Sequence, residues 1–103
     1  MANVFKRYTA QIGNADSDTT VYTVPGGTTS VIIGMTLSNK TATSITASAK
    51  LNTIAIIEDV PIPTGSTLSI LDGKLIGEAG DEFIFSSSDS DSLDVIISTL
   101  EQS

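Results

Sequence analysis

Apolar and polar side chains alternate one by one along much of this chain, and that spacing admits β-strands and little else. In Ile45-Thr46-Ala47-Ser48-Ala49-Lys50-Leu51-Asn52 every second residue is apolar. Successive strand side chains point to opposite faces, so such a segment buries one face and wets the other. Val31, Ile33, Met35 and Leu37 share one parity, against Ile32, Gly34, Thr36 and Ser38. Leu93, Val95, Ile97 and Thr99 alternate with Asp94, Ile96, Ser98 and Leu100, and Phe83 and Phe85 oppose Glu82 and Ile84. Shorter strands are expected at 21–24, 54–57, 68–71 and 74–76, and the run 4–11 carries a weaker signal. No segment has a helical period.

Turn chemistry separates these runs at Pro25-Gly26-Gly27, Ser38-Asn39-Lys40, Pro63-Thr64-Gly65, Asp72-Gly73 and Ala79-Gly80-Asp81. Asp72-Gly73 tolerates the positive φ of a two-residue loop, so a hairpin is expected between 68–71 and 74–76. The serine- and aspartate-rich stretch 86–92 reads as an exposed loop. About eight short strands in 103 residues make a single all-β domain, 1–103. The expected form is a small antiparallel β-sandwich or jelly-roll-like domain, with a small barrel as the other closed arrangement. Residues 1–12 are either its first strand or an arm reaching a neighbour.

Composition narrows the chemistry. Cysteine and histidine are both absent, which removes disulfides, Cys/His metal sites and the usual base of a nucleophilic triad. Lys40 and Lys50 lie near hydroxyls, as any lysine does in a chain this rich in Ser and Thr. The carboxylate neighbours Asp81-Glu82 and Glu58-Asp59 point to opposite faces if they lie on strands, so neither forms an acid/base pair. Asp89, Asp91 and Asp94 form an oxygen-rich stretch, as do Asp16 and Asp18, but the glycine and terminal glutamate of a helix–loop–helix calcium loop are missing. Pro25-Gly26-Gly27-Thr28-Thr29 lacks the lysine of a phosphate cradle. Asn39-Lys40-Thr41 matches a glycosylation sequon without a secretory leader before it. No catalytic residue, no cofactor and no resident metal is therefore expected.

A net charge of −7 disfavours phosphate backbones and anionic membranes, so neither nucleic acid nor membrane is an expected partner. The N-terminus has no apolar signal core, which fits synthesis in the cytoplasm. One segment departs from the acidic character: Val4, Phe5, Lys6, Arg7 and Tyr8 join aromatic to basic side chains. These five are the candidate interface residues, with Phe5, Tyr8 and their neighbours expected to contribute to the contact.

The order of several motifs resembles a known family. Thr20-Val21-Tyr22-Thr23-Val24-Pro25-Gly26-Gly27-Thr28-Thr29, followed by Val31-Ile32-Ile33-Gly34-Met35, is similar to an opening found in small virion structural proteins of marine and cyanobacterial tailed phages. Val60-Pro61-Ile62-Pro63-Thr64-Gly65-Ser66-Thr67-Leu68 resembles a later segment of the same family. So do Leu71-Asp72-Gly73-Lys74-Leu75, Glu78-Ala79-Gly80-Asp81 and the closing Ser92-Leu93-Asp94-Val95-Ile96-Ile97-Ser98-Thr99-Leu100-Glu101. The resemblance implies a β-sandwich subunit of a symmetric particle without a catalytic site, and it assigns no binding residues. The expectation is a capsid decoration, or cement, protein: a homo-oligomer, with a trimer as one form, bound to the major capsid protein or other virion proteins. A tail, neck, baseplate or fibre component is the second reading. A carbohydrate- or receptor-binding module is the third, weakened by the absence of tryptophan to stack on sugars.

Overall fold

The computed structural model describes residues 3–70 and 74–102. Nine strands are found among them: β1 (Asn3–Ile12), β2 (Thr19–Thr23), β3 (Thr29–Asn39), β4 (Ile45–Leu51), β5 (Ile54–Ile62), β6 (Thr67–Ser69), β7 (Leu75–Gly77), β8 (Glu82–Ser87) and β9 (Leu93–Gln102). One sheet has the order β1-β9-β3, with β6 and β7 both against the far side of β3. The second has the order β2-β8-β4-β5, and all the pairings are antiparallel.

The pairing follows a simple winding. β1 lies on β9, β2 on β8, β3 on β6 and β7, and β4 on β5, so the chain is one long hairpin folded about the β4–β5 loop. That hairpin is rolled until β9 also meets β3 and β8 also meets β4. The result is a jelly roll of two packed sheets. Rolling leaves long strands side by side, and the domain measures 45 × 21 × 19 Å.

The alternation read from the sequence supplies most of the core. Ile45, Ala47 and Ala49 of β4 are buried, as are Phe83 and Phe85 of β8 and Leu93, Val95 and Ile97 of β9. Phe85 pairs with Ala49, so a large ring sits beside a methyl group, the alternation of sizes by which core layers fill. In the turns 25–28 and 63–66 the third residue is Gly27 or Gly65, with φ of 72° and 68°. Each turn is closed by a bond from the fourth N–H to the first carbonyl, at 3.2 and 3.1 Å.

Four expectations need correction. First, Val31 and Ile33 do not share a face with Met35 and Leu37. A bulge between Ile32 and Gly34 inserts Ile33 as an extra residue, so Ile32, Met35 and Leu37 point inward and Ile33 points out. Second, the runs on either side of Asp72-Gly73 do not pair with one another. β6 and β7 both run antiparallel to β3 at successive positions, which makes them two pieces of one strand; residues 71–73 themselves lie outside the described residues. Third, β5 extends to Ile62, well past residue 57. Bulges in its ladder with β4 and a positive φ at Asp59 absorb the charged Glu58-Asp59, and Pro61 is tolerated because β5 is an edge strand. Fourth, the 86–92 stretch is not simply an exposed loop: Ser87 and Ser92 are buried, and their hydroxyls lie 2.8 Å apart.

Candidate interaction surface

The five residues singled out by sequence all lie on β1. This strand pairs with β9 over its whole length and forms one edge of its sheet. Alternation divides them between the two faces. Tyr8 points inward, with Val4 and Lys6 on the same parity, whereas Phe5 and Arg7 lie on the outer face. Residues 3–12 are thus a first strand and not a free arm.

The outer face carries a row of apolar side chains across four strands. Phe5 pairs with Leu100, Leu100 with Val31, and Val31 with Ile76. Phe5 is 75% exposed and Ile76 52%, while Leu100 and Val31 are half-buried. The β3 bulge adds Ile33, 42% exposed, to the same face. Beside the row runs a small-residue position, where Gly34 pairs with Ser98 and Ser98 with Arg7. That dip forms a shallow depression of about 330 Å³, lined by Phe5, Lys6, Arg7, Ile33, Ser98 and Thr99. A second depression of similar size lies further along β1 and β9, lined by residues including Gln11, Asp94 and Ile96.

Tyr8 belongs to a different structure, a polar knot inside the sandwich. Its ring stacks on Tyr22 with centroids 4.2 Å apart, and Tyr22 stacks on Phe83. Both phenols donate to one oxygen of the buried Glu101, Tyr22 at 2.8 Å. The Ser30 and Tyr22 hydroxyls lie 3.0 Å apart; because the single Tyr22 proton goes to the carboxylate, Ser30 acts as donor there. Burial raises the pKa of both tyrosines above the ordinary phenol value, and the Glu101 carboxylate raises both further. For Tyr22 the Ser30 contact pulls the other way.

Several of the other candidate groups have structural partners. Lys40 pairs with Asp94 at 3.1 Å and Lys50 with Asp18 at 2.9 Å. Asp81 accepts from Glu78 N–H and from the Asn52 amide, and Asp59 N–H donates to Ser48. Asp91 accepts from Gln11, and among the described residues no three carboxylates gather closely enough to hold a metal ion. The Asn39 amide is buried and donates to the carbonyls of Thr43, Ile62 and Pro63, so this sequon asparagine is a structural residue.

Two features escaped sequence reading. Glu101 occupies the inward parity of β9, so a carboxylate in that register was the available signal for the knot. The outward row was signalled by Leu100 and Ile76, apolar residues on the parity that should be wet. Comparison with protein-family models, curated proteins and solved structures returned no match to this chain.

Proposed function

We propose that this chain is a non-enzymatic structural subunit of a tailed-phage virion, seated on the head as a decoration protein that stabilises the shell. The observation that carries the reading is the outward apolar row Phe5-Leu100-Val31-Ile76, four strands wide on a rigid sheet. Single exposed apolar residues are ordinary on any surface, but a contiguous row marks a site where another protein docks. Both depressions on this face are shallow, which suits a broad contact better than a small substrate. The ordered sequence resemblance supplies the particle, and the major capsid protein is the partner. Jelly rolls also occur in capsid proteins and lectins, a likeness of fold and not of function.

On this reading the subunit binds the assembled shell and not its dispersed parts, so it stabilises the particle by mass action. Its remaining acidic surface keeps particles soluble and mutually repelling. The test is quantitative mass spectrometry of purified virions. The expected result is a copy number comparable to that of the shell protein, reduced at least about tenfold by Ile76→Asp, which places a charge within the apolar row. Absence from the virion, or the few copies of a tail part, would refute the assignment to the head.

A further inference from the structure

The outer face is not uniform, and its β1 end differs in charge from the rest of the molecule. Among the described residues the ion pairs are Lys40–Asp94 and Lys50–Asp18; Lys6 and Arg7 have no carboxylate partner. They border the depression whose apolar lining is Phe5 and Ile33. This is a basic-rimmed apolar hollow on a chain of net charge −7.

The same molecule carries the complementary shape elsewhere. The β4–β5 loop is a tight tip at Asn52-Thr53, and Ile54 beside it is 69% exposed. Asn52 ties this tip to two acidic residues: its amide donates to Asp81 at 3.1 Å, and its side-chain oxygen accepts from Glu82 N–H at 2.9 Å. The tip is therefore an apolar knob with the Asp81 carboxylate beside it and the exposed Glu82 tethered there through its backbone. It belongs to the other sheet, and β5 has no ladder with any strand that lines the hollow.

We infer that the Phe5–Ile33–Arg7 hollow of one copy receives the Ile54 tip of a second copy. Charge decides the occupant. Hollow against hollow would set Lys6 and Arg7 of one copy against those of the other, and edge-to-edge pairing of two β1 strands meets the same repulsion. Hollow against tip sets them against Asp81 and Glu82. Two different patches then meet, so the contact is head-to-tail and closes into a ring when the rotation allows. The inference rests on the proposed role only in giving the ring a place on a particle. The Val31-Ile76 half of the face is left for the shell.

Sedimentation velocity of the purified chain tests this without any virion. The wild type is expected to show species larger than a monomer, increasing with protein concentration and decreasing with salt. Arg7→Glu reverses the rim of the hollow and Ile54→Asp removes the knob; both positions are exposed, so the fold is kept, as circular dichroism would verify. Each variant alone is expected to dissociate at least about tenfold more readily. Mixed together they should form a one-to-one dimer and nothing larger, because one retains the tip and the other the hollow. A wild type that stays monomeric up to about 1 mM would overturn the inference. So would an oligomer that either variant leaves intact, or a mixture that stays monomeric while the wild type associates. Absence of the wild-type chain from the virion, with self-association intact, would instead count against the proposed function alone.

Discussion

Glu101 is the residue whose setting is most demanding. Its carboxylate is buried at the inward register of β9 and is tolerated because two phenols donate to it. Tyr22→Phe removes one donor and is expected to cost about 1–3 kcal/mol, read as a lower urea midpoint. The tyrosines also give the fold a pH dependence with a definite sign. Their protons are held more tightly in the fold than in the unfolded chain, where the phenol value is near 10.0. The stabilisation is therefore complete below that pH and is lost as the pH rises through the higher folded values. Stability of the wild type should fall more steeply above about pH 10 than that of a Tyr8→Phe/Tyr22→Phe variant. Parallel slopes in denaturant titrations would show that the knot does not titrate as described. None of this was legible beyond the parity of Glu101, because Tyr8 and Tyr22 are brought together by the rolling of the chain and not by proximity in sequence.

At the scale of the element, β3 shows why alternation can be read in the wrong register. Val31-Ile32-Ile33 is apolar on both parities, so the pattern does not fix which face is buried. The ladder fixes it instead: Ile32 pairs with Thr99, Gly34 with Ser98, and Ile33 is left over. Deleting Ile33 should thus restore plain alternation with the core intact, and the variant should fold with its stability changed by no more than about 1 kcal/mol. Deleting Thr36 should unfold the domain, because it turns Leu37 outward. If the two deletions cost the same, the bulge has been misplaced. By contrast, β4 was readable in full, since it sets a clean apolar parity against a clean polar one, and on β8 and β9 the buried parity of Phe83, Phe85, Leu93, Val95 and Ile97 was read in the right register. The Asp72-Gly73 signal misled for a related reason. Turn chemistry states what a pair of residues can do, whereas the β3 ladder, which runs past both β6 and β7, states where the flanking strands lie.

For the whole molecule, the winding explains how the outer face is assembled. Pairing β1 with β9 and β9 with β3 places residues from both ends of the chain on one outer face, with Ile76 of β7 completing the row. Length and turn spacing pointed to a sandwich, but only long-range pairing builds this face, which is why Phe5 could be singled out from its own neighbours in sequence and Ile76 could not. On the proposed function, this face is where the subunit meets its particle. The most direct measurement is a cryo-EM map of the virion. The expected map shows a jelly roll at symmetric positions on the head, with Val31, Leu100 and Ile76 against the shell protein. A map with no such density on the head, or with this face turned to solvent, would contradict it.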